Sequence, residues 1–441
     1  METRDLIVTP LVIILVCFIA YLIRPVMSDA VNRKYFFPAL TVKLIGALAV
    51  GFIYQFYYGG GDTFNYHTYG SRIIWEAFMQ NPLDGFKLII NNNDPELYRY
   101  TSQIEFFLDP SSYFIVRLAA LFDILTFSSY SATAVLFAFS SFIGIWFFFL
   151  SFYELFPHLH RRIAICSFFI PSVFFWGSGL LKDTIIMACL GIATYWVKRI
   201  FIDKRVSISG PIILIICLFI MFSVKKYVLL CFVPASLFWV YAGNLSMIRS
   251  MGLRILLLPF IIGISVFSGF YAMKKIGESD PKYALDKLAE TARITAYDIG
   301  FYSGRDAGSG YTLGEMDGTF GGMLKLAPQA INVSLFRPYL WEVRNPLMLL
   351  SAMEAFSLFL IFVFLLFRKP RNFFSSLGNP NVLFCFVFSI AFAFAVGVST
   401  YNFGTLSRYK IPLLPFFAMG LVLVADQINR ETKFSELEET E

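Results

Sequence analysis

The chain has 441 residues, of which 57% are hydrophobic and only 15% charged, with a mean hydropathy of +0.67. A soluble domain carries about 25% charge, and 52 Phe with 23 Tyr exceed what one water-excluding core can hold. A string of soluble domains is therefore excluded, and the long apolar windows predict an all-α polytopic membrane protein rather than a barrel. The net charge of +6 bears on topology and not on nucleic acid.

Apolar windows fall at 6–23, 36–57, 130–156, 163–181, 184–199, 210–223, 228–243, 254–273, 346–367, 381–399 and 411–427. They predict about 11 transmembrane helices, with 9–11 as the range. The first window, Leu6 to Ile23, is too long for a secretory h-region and lacks a small-residue cleavage site, so it reads as a real span. The pair 210–223 and 228–243 is split by Lys225 and Lys226. One continuous helix would bury two lysines near the bilayer centre at about 2.5–3.5 kcal/mol each, so two short segments or a re-entrant pair are expected. The six cysteines, Cys17, Cys166, Cys189, Cys217, Cys231 and Cys385, all lie inside apolar runs without metal spacing and read as small core residues.

Basic residues mark alternate loops: Arg24, Arg33 and Lys34; Arg161 and Arg162; Lys198, Arg199, Lys204 and Arg205; Arg249 and Arg254; Arg368, Lys369 and Arg371. The positive-inside rule makes these loops cytoplasmic and the N-terminus external. The chain then reads as one membrane domain, 1–441, with a first external loop at 58–129, a second at 274–345 and a cytoplasmic acidic tail at 428–441. The first loop holds four basic residues against eight acidic ones, which suits an outward face. Its segments 66–79 and 112–126 read as amphipathic surface helices, with Ile74, Trp75 and Phe78, then Phe114, Leu118, Leu121 and Phe122, on their apolar sides. In the second loop, Pro281 to Asp298 reads as a helix. Gly300 to Gly322, with eight glycines, reads as a flexible loop that a ligand can approach closely.

Five motifs carry candidate chemistry. Gly59-Gly60-Gly61-Asp62, where the second span ends, delivers a carboxylate to the interface. Asp62 reads either as a helix N-cap or as a base taking a proton from a hydroxyl nucleophile. His67, one turn beyond Thr63, reads as a surface residue or as an organiser of that site. Gly177-Ser178-Gly179-Leu180-Leu181-Lys182-Asp183 reads as a tight turn with a snorkelling lysine, or as a phosphate site at a helix start. Lys225 and Lys226 suit lipid headgroups or an anionic ligand. Phe336-Arg337-Pro338-Tyr339 precedes a span containing Glu354, an intramembrane carboxylate for which Arg337 is the expected partner. Last, Ser407-Arg408-Tyr409-Lys410-Ile411-Pro412 places Arg408, Tyr409 and a lysine ahead of the final span. Arginine there offers a fork for phosphate, or an interfacial anchor. Together the motifs set one carboxylate and several cations on one predicted face, which suits an anionic lipid donor and a hydroxyl acceptor.

The early external loop with Asp62 near its start and two surface helices resembles the GT-C superfamily of integral-membrane glycosyltransferases, as does the late Arg408-Tyr409-Lys410-Ile411-Pro412 stretch. The Gly61-Asp62-Thr63-Phe64-Asn65-Tyr66 run is also similar to bacterial polysaccharide polymerases. The resemblance implies a polyprenyl-phosphate or pyrophosphate sugar donor, with a glycan, lipid or protein hydroxyl as acceptor. It also implies an outward-facing site in a bacterial inner membrane. By it Asp62 is the catalytic carboxylate and Arg408 a cation near the lipid phosphate. Lys182, Lys225, Lys226, Arg337 and Tyr409 join the candidate phosphate ligands, and Glu354, Asp183 and His67 organise the site. The chain departs from the family pattern in having one extra span before the Asp loop and no soluble C-terminal domain. Asp62 also has no acidic neighbour, so no metal is assigned; a divalent ion is not supported by spacing. A polymerase or ligase is the close rival. A transporter or flippase for a lipid-linked anion is the rival from another class, with inverted repeats and broken helices as its cues.

Overall fold

The computed structural model describes residues 2–90, 94–205, 207–245, 310–314 and 320–438, with positions 259, 263, 294 and 297. The predicted span at 254–273, the helix from Pro281 to Asp298 and most of the glycine-rich loop lie outside the described residues. Among the described residues the chain is 82% helical and has no strand. Eight helical segments are long and apolar enough to cross a membrane: Thr3–Met27, Arg33–Tyr57, Tyr130–Tyr153, Lys182–Ile202, Lys226–Gly243, Pro346–Arg368, Pro380–Gly397 and Leu413–Arg430. The chain is an all-α, multi-pass membrane protein.

One predicted window takes a different form, and the expected break at the paired lysines is present. Window 163–181 is not one span: it breaks into His160–Phe168 and Pro171–Trp176, then leaves helical geometry before Lys182. Pro171 has no N–H to donate and disfavours helical backbone at Ile170. Gly177 and Gly179 end the second piece. At 209–243 the chain forms two helices, Ser209–Val224 and Lys226–Gly243, parted at Lys225, whose backbone leaves the helical region at φ −144°. The first of these, at 16 residues, is shorter than the roughly 20 residues a full crossing needs.

The described chain divides into two compact units. The first comprises Met1–Phe169, Val173–Trp196 and Ile208–Lys226; the second comprises Ile170–Ser172, Val197–Ser207 and Tyr227–Glu441.

In the first unit, Tyr130–Tyr153 packs against Thr3–Met27 and Arg33–Phe52. Its Trp146 is fully buried, stacked on Phe168 at 5.4 Å and edge-on to Phe36 at 4.7 Å, with its indole N–H on the Met27 carbonyl. The segment 58–129 contains the helices Asp62–Tyr66, Arg72–Gln80, Pro82–Ile90 and Pro110–Thr126. The last of these buries Ser112, Ile115, Val116, Ala119, Ala120 and Asp123, while Leu121 and Leu125 remain exposed. One face is thus packed on protein and the other left apolar, as a helix at a lipid surface requires.

In the second unit, Pro380–Gly397 packs against Ala327–Phe336 and Leu413–Glu438. Trp239 stacks on Phe384 at 4.2 Å and donates its indole N–H to Asn381. The last helix runs on to Glu438, well past its apolar part.

Candidate functional site

Within the first unit, three motifs far apart in sequence come together. Asp109 caps the helix Pro110–Thr126 through the Ser111 N–H and accepts the Ser112 hydroxyl. Lys182, first residue of the helix Lys182–Val197, reaches over to it. Its ammonium lies 2.6 Å from the Ser111 hydroxyl and 3.3 Å from the Asp109 carboxylate. Burial pushes the Asp109 carboxyl up, but the Ser112 hydroxyl, the Lys182 charge and Ser111 outweigh it and hold it well below the usual range. Asp183, only 2% exposed, accepts a hydrogen bond from Lys225, itself 8% exposed, at the break between two helices. Lys226 follows directly, its ammonium 5.9 Å from the Phe222 ring centre.

The predicted lysines Lys182 and Lys225 are therefore held by internal carboxylates. The cluster lies at the N-terminal end of a 16-residue helix whose dipole favours an anion.

Asp62 is not an N-cap. The cap is Gly61, and Asp62 is the first residue of the helix Asp62–Tyr66, half-buried. The reason is the backbone ahead of it: Gly59, Gly60 and Gly61 have φ of +70°, +141° and +114°, which residues with a Cβ rarely adopt. The glycines carry the turn, and the carboxylate is left on the first helical turn.

His67 is likewise not a surface residue. It is fully buried, with Nε2 3.4 Å from Asp123 Oδ1. Asp123, also fully buried, accepts the hydroxyls of Ser71 and Thr133, each at 2.6 Å. His67 thus seats the segment after Asp62 on the helix Pro110–Thr126. Asp5, on the first span, belongs to the same polar region through the hydroxyl of Ser129.

In the second unit the expected Glu354–Arg337 pair does not form. Arg337 instead makes a forked contact with Glu342, five residues on, through Nε and Nη2. The Arg337 fork and the Tyr339 N–H hold the Glu342 carboxyl below its ordinary value against the opposing effect of burial. The Arg337 guanidinium also packs among Tyr311, Tyr339 and Phe403 at 5.3–5.7 Å. Arg337 is thereby spent on shaping its own turn. Glu354 accepts the backbone N–H of Ser172 at 2.8 Å. The fully buried Lys410 acts on it electrostatically, and its ammonium reaches the Arg337 carbonyl at 3.1 Å. Arg408 is half-buried over the neighbouring Tyr409 ring at 5.0 Å, with Nη2 3.3 Å from its hydroxyl.

The candidate residues therefore divide. Asp62, His67, Lys182, Asp183, Lys225 and Lys226 belong to the first unit, and Arg337, Glu354, Arg408 and Tyr409 to the second. Among the described residues no group of three or more His, Cys, Asp or Glu is placed to hold a metal ion. Sequence reasoning passed over Lys43 and Asp5, and gave Asp123 and Lys410 no place among the site residues. A signal existed for three of them, since each is an ionisable residue inside or at the edge of an apolar stretch; for Asp123 only its buried helix face marks it. No protein family, curated protein or solved structure matches the chain.

Proposed function

We propose that this protein is an integral-membrane glycosyltransferase of GT-C type. It moves a sugar from a polyprenyl-phosphate or pyrophosphate carrier to a hydroxyl acceptor on the outer face of a bacterial inner membrane. The span count of 9–11, the outward site and the donor class belong to the same proposal. What supports it most is that Lys182 and Lys225 are both held at the start of a long helix, where cations and the helix dipole suit a phosphate. Asp62 takes the acceptor proton as the glycosidic bond forms. Within the second unit, Arg408 and Tyr409 contact phosphate, and Glu354 with Lys410 organises the polar interior.

The test is transfer of a radiolabelled sugar from a polyprenyl-phosphate donor by the purified protein in proteoliposomes. No transfer to any glycan, lipid or peptide acceptor, with donor bound, would argue for the second reading: a transporter or flippase for a lipid-linked anion. The helix breaks at Phe169–Pro171 and at Lys225 favour that alternative, because transporters bind ions at interrupted helices.

A further inference from the structure

Lys43 lies ten residues into the span Arg33–Tyr57 and is 1% exposed. A helix rises about 1.5 Å per residue, which puts it roughly 15 Å from the start of the span, near the middle of a hydrocarbon layer about 30 Å thick. An ammonium at that depth is expensive and needs partners. Its three N–H bonds meet three acceptors: the Gly177 carbonyl at 2.8 Å, the Ser141 hydroxyl at 3.0 Å and the Val173 carbonyl at 3.3 Å. All three are neutral. The Ser141 hydroxyl in turn donates a hydrogen bond to the Gly177 carbonyl at 2.7 Å.

Those carbonyls belong to the broken segment. The helix Pro171–Trp176 ends without a successor: the Gly177 N–H still reaches the Val173 carbonyl at 3.2 Å, but the carbonyls beyond it have no continuing helix to supply donors. In lipid, such groups must be satisfied inside the protein. Lys43 takes Val173 and Gly177, the Ser178 hydroxyl takes Phe174, and the Thr184 hydroxyl takes Gly179. The span bearing Lys43 also lies hard against the break, since a Cβ on Gly46 would sit 2.2 Å from the Phe174 carbonyl oxygen. Four residues separate the pinned Gly177 from Lys182, and Leu180 and Leu181 among them are buried.

We propose that Lys43 is a positioning residue: it pins the end of the broken helix and so fixes where the helix carrying Lys182 and Asp183 begins. Its consequence for anion binding rests on the phosphate reading of that cluster. The pin itself does not.

The experiment uses the full chain in detergent, with Lys43→Met, Lys43→Arg and Ser141→Ala. Methionine matches the length of lysine while removing a charge from the bilayer, so membrane insertion is retained. Two quantities are read: amide hydrogen exchange across 177–184, and the Kd for inorganic pyrophosphate. In Lys43→Met, exchange should speed by about tenfold or more, the worth of a charge-assisted hydrogen bond, and pyrophosphate should bind about tenfold more weakly. Arginine should restore part of both, which a simple packing role would not do. Ser141→Ala should speed exchange by a smaller factor and serves if Lys43→Met does not fold. Exchange in both Lys43→Met and Ser141→Ala at the wild-type rate would overturn the pin. Faster exchange with unchanged pyrophosphate affinity would overturn the positioning role. A wild-type protein that binds no pyrophosphate would count against the phosphate reading, leaving the exchange result to decide on Lys43.

Discussion

Lys225 donates to Asp183 across 42 residues of chain, and both side chains are withdrawn from solvent. Lysine at a helix break inside an apolar stretch is costly by itself, and Asp183 at the start of another helix is its compensation. Removing either partner leaves the other buried and uncompensated, which costs about 3–5 kcal/mol. Asp183→Asn and Lys225→Met should each lower stability by that order, and the double variant should recover most of the loss. Denaturant unfolding in micelles, arranged as a double-mutant cycle, measures it. Additive single losses would mean the two residues do not act as a pair.

Asp109 predicts an acid sensitivity. Its folded-state carboxyl lies below the ordinary value of 3.8, so its contribution is fully present above that value. It is lost as pH falls from there through the folded value. Melting temperature in detergent should therefore fall more steeply below about pH 4 in wild type than in Asp109→Asn. Parallel curves would remove the Lys182–Asp109 contact from the account of stability.

Asp62→Asn keeps size and polarity at the first helical position but removes the base. Expression and melting temperature should stay near wild type, because the turn depends on the three glycines and not on the carboxylate. Sugar transfer should fall by roughly 10²–10⁴, the usual worth of a general base. A fully active variant would take Asp62 out of the mechanism.

Arg408→Ala should weaken use of a lipid-phosphate donor, and Arg408→Lys should restore it only in part, since lysine lacks the planar fork. Donor titration in proteoliposomes reads this as KM and kcat. Wild-type constants in both variants would leave Arg408 as an interfacial anchor on Tyr409.

Sidedness is the remaining test. Cysteines placed at Asp62 and at Arg408 should each label from outside intact cells, and those at Arg161 and Arg368 only after permeabilisation. The expectation follows from the distribution of basic loop residues. Labelling of Asp62→Cys only after permeabilisation would reverse the assigned orientation.

Spans were legible in the sequence because hydropathy is a local sum. Apart from 163–181, which breaks at Pro171, each predicted window from 6–23 to 228–243, and from 346–367 onward, coincides with helix, and Lys225 was visible as an interruption. Lys43 was hidden by the same averaging: one charge among apolar neighbours hardly moves a window. The three glycines before Asp62 signalled a turn, but whether Asp62 caps the helix or opens it depends on backbone angles that composition does not specify.

Partnership was decided only by the tertiary structure. The sequence placed Arg337 nearest to Glu354, yet the guanidinium closes on Glu342, five residues away, and the charge that acts on Glu354 is Lys410, just past the helix Phe403–Tyr409. Lys182 finds Asp109 across 73 residues, and Lys43 finds Gly177 across 134. Apolarity along one segment is enough to send it into a membrane, because lipid solvates each segment separately. Which buried charge meets which carboxylate or carbonyl depends on the rotation and depth of one helix against its neighbours. Those are set by close packing over the whole unit, and no stretch of chain holds them alone.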